Sequence, residues 1–147
     1  MIIQADASAL EWRVLLELSR DPVGIQEVLE KQDAHTNNQV AFSLPDRLTA
    51  KKYLFRTIYN RGKGYAFTLD PDFMHVSTSV DYWDEVGAKF YKKYNGIDKI
   101  HWAWQKQAME TGSIKSEFGL FWPIPRQEKI PWTIICNYPV KCSGLTL

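Results

Sequence analysis

Apolar positions recur at helical spacing over most of the chain. Leu10, Val14, Leu15 and Leu18 fall three or four apart, which predicts a helix that Asp21-Pro22 closes. Pro22 suits the first turn of a following helix, where its missing N–H would lack a partner in any case. Two short helices are expected over 23–31 and 36–42, then a longer one from about 45 to 60, with Ser43 as N-cap candidate and Asp46 three residues on. Ahead of these, residues 2–7 read as a short buried strand. The stretch 61–80 carries no helical pattern and reads as the internal linker. Residues 82–94 and 97–111 predict an antiparallel helix pair joined at Asn95-Gly96, whose glycine suits a left-handed cap. From Ser113 onward Phe118, Leu120 and Trp122 alternate and Pro123, Pro125 and Pro131 interrupt, the mark of short strands. The expected fold class is α+β, mainly α, with strands at both ends.

Composition narrows the classes of function. A 147-residue chain that is 45% hydrophobic and 14% aromatic can bury a core, so disorder is not expected. Its 18 Lys and Arg against 17 Asp and Glu give a net charge of +1, so any attraction for nucleic acid must be local. Cys136 and Cys142 make no Cys-x-x-Cys pair, and His35, His75 and His101 are scattered, which argues against structural zinc and a disulfide framework. A soluble, reduced, cytoplasmic protein is the expectation: no leader or long apolar run is present, and no membrane partner is expected.

The most informative segment is the 45–60 helix. Arg47, Lys51, Phe55 and Tyr59 stand at successive i,i+4 steps, each turned by roughly 40° from the last, over about 18 Å. Two cations followed by two aromatics along such a stripe suit a phosphate chain at one end and a sugar and base at the other. Any one of these residues alone reads more readily as a solvated cation or a core aromatic. Around them Lys52, Arg56, Arg61 and Lys63 add positive charge, with Asp46 the sole acid over 45–65.

Arg47-x3-Lys51-x3-Phe55-x3-Tyr59 resembles motif B, the fingers helix of family A (Pol I-like) DNA polymerases. The segment from Asp6 through Ser8 and Glu11 to Arg13 resembles their motif A. Asp33-Ala-His35 is similar to the Asp-x-His ahead of motif B, and Asn137-Tyr-Pro139-Val140 to a segment that follows the fingers. The resemblance runs from about residue 2 to about residue 140. It implies a partial palm at 1–20, fingers at 21–112 and strands returning to an incomplete palm at 113–147.

The implied activity is template-directed DNA synthesis, a nucleotidyl transfer in replication or repair that uses two Mg²⁺ ions. Taken alone, Asp6 reads as a helix N-cap; the resemblance makes it a metal ligand and, with Lys51 as proton donor to pyrophosphate, a catalytic residue. Glu11, His35, Arg47, Lys51, Phe55 and Tyr59 are implied to bind the deoxynucleoside triphosphate. Tyr59, Arg61, Lys63 and Asn137 are implied to contact the primer-template, and Arg13 to form a buried ion pair. Asn60 replaces the family's usual glycine, Lys141-Cys142 its Gln-Gly, and Gly119-Leu120 its Gly-Arg. No second metal motif follows before Leu147, so these 147 residues are expected to be an inactive fragment of a truncated, split or intein-interrupted polymerase, one that a complementing polypeptide could complete. The alternatives are a non-catalytic nucleic-acid-binding module and a decayed remnant.

Overall fold

The computed structural model describes residues 3–117 and 120–143, with side chains from residue 10 to 142 outside 118 and 119. The chain is mainly helical, with one two-stranded sheet. It divides into two compact units, one formed by residues 1–21 and 96–147 and the other by 22–95.

In the first unit, α1 spans Ile3–Ser19. The strand expected over 2–7 is therefore not formed: from Ile3 on, the backbone is helical. Gln4, Ala5, Ala7 and Ala9 have little intrinsic resistance to the helix, which satisfies backbone groups within the segment, whereas a lone strand leaves them open. The buried stripe is also rotated from the expected one. Trp12, Leu15 and Leu16 are buried, while Leu10, Val14 and Leu18 are half-buried. Arg13 is exposed rather than in a buried ion pair, because it stands about 100° around α1 from Trp12, off the buried stripe. The later elements of this unit are α7 (Asn95–Thr111), β1 (Ser113–Ile114), β2 (Trp122–Pro123), α8 (Trp132–Ile135) and α9 (Tyr138–Ser143). Helix α7 buries Ile97, His101, Trp104 and Ala108, one face at helical spacing.

Gly96 lies inside the first turn of α7 and is not a left-handed cap. Glycine is needed there for a different reason: a Cβ would sit 2.7 Å from the Asp21 Cα, and the Gly96 N–H donates to Asp21 Oδ1 at 2.6 Å. Of the strands expected after 113, only the short antiparallel pair β1–β2 forms among the described residues, with Ile114 opposite Trp122. Phe118 and Gly119 lie outside those residues. The 132–143 segment turns helical, and the Tyr138 hydroxyl holds the connection by accepting from Ser116 N–H at 3.1 Å and donating to the Leu120 carbonyl.

In the second unit, α2 (Pro22–Leu29), α3 (Ala34–Ala41), α4 (Arg47–Asn60), α5 (Gly64–Thr68) and α6 (Val80–Lys93) enclose an aromatic core. Phe42, Tyr53, Phe67, Phe73, Trp83 and Phe90 are all at most 1% exposed. Trp83 stacks on Tyr53 and Phe67 with centroids 5.8 and 5.1 Å away, and Phe73 meets it edge-on at 5.4 Å. The 61–80 stretch thus contributes Phe67 and Phe73 to the core and is not a linker. Its signal was carried by Phe67 and Phe73 on a short helix and a run of turns, which have no long period to detect.

Helix α4 begins later than expected. Asp46 is its N-cap, with Oδ1 accepting from Thr49 N–H at 2.7 Å, and Ser43 precedes the helix with φ 56°. At the other end Arg61 takes the left-handed conformation (φ 62°), and the Asn60 side chain accepts from Gly62 N–H at 2.8 Å. Behind α3 and α6, Glu27 accepts from Lys93 Nζ at 2.9 Å and from the Tyr94 hydroxyl at 2.7 Å, forming a buried polar knot with Asn38. Among the described residues no helix is long and apolar enough to cross a membrane, and both cysteines are buried thiols.

Candidate functional site

The packing of α3 against α4 gathers residues that lie far apart in the chain. Asp33 caps α3, accepting from His35 N–H at 3.2 Å and from the Thr36 hydroxyl at 2.6 Å. The same carboxylate receives Arg47 Nε at 2.6 Å and Nη2 at 3.2 Å, a two-pronged pair joining the start of α3 to the first turn of α4. The Arg47 guanidinium is the main reason that the Asp33 carboxyl is held well below the usual carboxylate range. One turn along α4 stands Lys51, half-buried and without an ion pair among the described residues. A further turn brings the Phe55 ring edge-on to the His35 imidazole, centroids 5.7 Å apart at 63°.

His35 is half-buried, and its Nδ1 is enclosed with no hydrogen-bond partner among the described residues. Burial lowers its proton affinity below the ordinary 6.5, and the positive charges of Arg47 and Lys51 push the same way; Asp33 and Glu27 oppose. The imidazole is therefore neutral at neutral pH, one nitrogen donating and one accepting. The result is a patch with one neutralised cation, one open cation, a neutral imidazole and an aromatic ring.

Tyr59 and Arg61 stand at the far end of α4. Tyr59 is half-buried, and the Arg61 guanidinium lies 4.1 Å over the Tyr91 ring. Lys63 is exposed at the N-cap of α5. The basic character expected over 45–65 is offset in part by acids from outside that window. Arg56 pairs with Asp70 at 2.9 Å and Asp72 at 2.8 Å, and Lys52 pairs with Asp72 at 3.3 Å. Asp70-Pro-Asp72 after a basic helix is the local sequence signal for this pairing.

Glu11 and Asn137 belong to the other unit. Glu11 is half-buried, and burial raises its proton affinity; Asn137 is exposed in the turn before α9. The side chain of Asp6 lies outside the described residues. Among those described, no group of three His, Cys, Asp or Glu side chains comes together to hold a metal ion, so the residues in view do not make a two-ion centre. Comparison of the chain with protein-family models, curated proteins and solved structures found no match.

Proposed function

We propose that the α3–α4 face binds the triphosphate of a deoxynucleotide, and that the chain is a fingers-bearing piece of a family A-like DNA polymerase. The supporting observation is the gathering of His35, Arg47, Lys51 and Phe55 on one face, in the order phosphate-binding cations, then ring. Lys51 is the open point charge, and Arg47 keeps donors beyond the two spent on Asp33. Phe55 offers a flat apolar surface to a sugar, and Tyr59 is assigned to the base end of the stripe. DNA primer-template is the proposed macromolecular partner, through Tyr59, Arg61, Lys63 and Asn137. Template-directed transfer would call on Asp6 and two Mg²⁺ ions. The described residues do not supply that centre, so the chemistry derived from them is binding and orientation of the nucleotide alone.

Titration of the chain with a deoxynucleoside triphosphate at low ionic strength tests the reading. Weak binding is expected, lowered about five- to tenfold by Lys51→Ala, as one solvent-screened charge-assisted contact is worth roughly 1–1.4 kcal/mol. The same affinity in Lys51→Ala removes Lys51 from the site. DNA binding that ignores the triphosphate would point to a nucleic-acid-binding module instead, and absence of triphosphate binding overturns the reading. The offset of Arg56 and Lys52 by Asp70 and Asp72 favours the nucleotide, since those cations are not open to a DNA backbone.

A further inference from the structure

We propose that anion binding on the α3–α4 face is coupled to the uptake of one proton by His35, so that the imidazole is neutral in the empty site and charged in the filled one. The inference rests on the nucleotide-binding reading above. It begins from an imidazole in one cluster with the Asp33–Arg47 pair, Lys51 and the Phe55 ring, its Nδ1 enclosed. The groups that act on it are Glu27 from α2, Asp33 at the α3 cap, and Arg47 and Lys51 from α4, with the Phe55 ring against its edge. Asp33 is committed to Arg47, and Glu27 to Lys93 and Tyr94, so neither carboxylate is free to take an imidazolium N–H as well.

A bound phosphate offsets Arg47 and Lys51 with its negative oxygens, which removes the repulsion felt by an imidazolium on the same face. The proton comes from solvent and no covalent bond to the ligand changes. By linkage, the ligand binds the protonated form more tightly by the same factor that it raises the proton affinity; one pH unit corresponds to tenfold.

The test is an NMR pH titration of the imidazole resonances in the whole chain, free and saturated with a deoxynucleoside triphosphate. The free His35 midpoint is expected below 6.5 and the bound midpoint at least about one unit higher, with His75 unmoved. Sulfate, a dianion that does not titrate in this range, should shift His35 in the same direction, which assigns the proton to the protein and not to the ligand. Calorimetry of sulfate binding to the native chain in two buffers of different ionisation heat should read that proton uptake, and any binding left in His35→Gln should show none. Lys51-dependent binding with an unmoved His35 midpoint overturns the coupling and leaves the nucleotide reading intact. No binding of triphosphate by the native chain overturns both.

The same depressed proton affinity gives a sign for stability. Between 6.5 and the lower folded midpoint the unfolded chain holds more protons at this residue, so acidification through that window destabilises the native chain. His35→Gln should flatten this part of the stability profile in denaturant unfolding followed from pH 7.5 to 5; a slope unchanged by the substitution assigns it to other groups.

Discussion

Trp83→Ala is expected to lower the stability of the 22–95 unit by about 3–5 kcal/mol, the range for deleting a fully buried indole. The ring has no exposed surface and touches four other aromatic rings: Tyr53, Phe67, Phe73 and Tyr82. Its Nε1–H donates to the Ser77 carbonyl at 2.8 Å, so the substitution removes a hydrogen bond along with the packing. Because Trp83 joins α6 to the residues between α5 and α6, its loss should loosen the 61–80 segment first. Hydrogen exchange would locate that loosening, and urea unfolding followed by circular dichroism would give its size. A loss under about 1 kcal/mol would mean that the aromatic cluster is not what holds this unit.

Glu27→Ala should cost a similar amount, about 3–5 kcal/mol, through electrostatics instead of packing. Glu27 is 5% exposed, and the Lys93 side chain it pairs with is 19% exposed. Removing the carboxylate leaves an ammonium beside the Asn38 carbonyl oxygen alone and strips the Tyr94 hydroxyl and Asn37 amide of an acceptor. The control that separates charge from shape is Glu27→Ala combined with Lys93→Met, which removes both charges. The pair should recover most of the loss, since replacing a buried ion pair by apolar groups is often close to neutral. If the double variant is as unstable as Glu27→Ala, the stranded charge is not the cause.

The sequence carried the helices well wherever an apolar face recurs over many turns. Helices α4, α6 and α7 fall within two residues of their expected bounds. It failed where the evidence was short-range or non-local. Residues 2–7 look apolar enough for a strand, but a strand needs partners, and the choice between partner and self-satisfied helix is not written in six residues. Phe67 and Phe73 become core only because Trp83 and Tyr53 meet them, contacts no local period reports. The candidate site shows the same division. Arg47, Lys51 and Phe55 follow from spacing on one helix, whereas the bond from Asp33 to Arg47 and the ring contact from His35 to Phe55 depend on how α3 lies against α4. The charge of α4 is legible locally, but the acids that offset part of it, Asp33, Asp70 and Asp72, come from either side of the 45–65 window.

The end of α4 ties together two glycines that are distant in the chain. Gly62 follows Arg61 in the left-handed region at φ +69°, and its carbonyl oxygen points to where a Cβ on Gly87, in the middle of α6, would lie 2.9 Å away. An alanine at 87 requires that carbonyl to retreat, and the carbonyl is held by a turn that an L side chain at 62 adopts only under strain. The two positions therefore share one mutational tolerance. In a library that varies both, substitutions at 87 should survive mainly in backgrounds where the 60–63 turn has been rebuilt by insertion or deletion, so that the genotype at one site decides which genotypes are viable at the other.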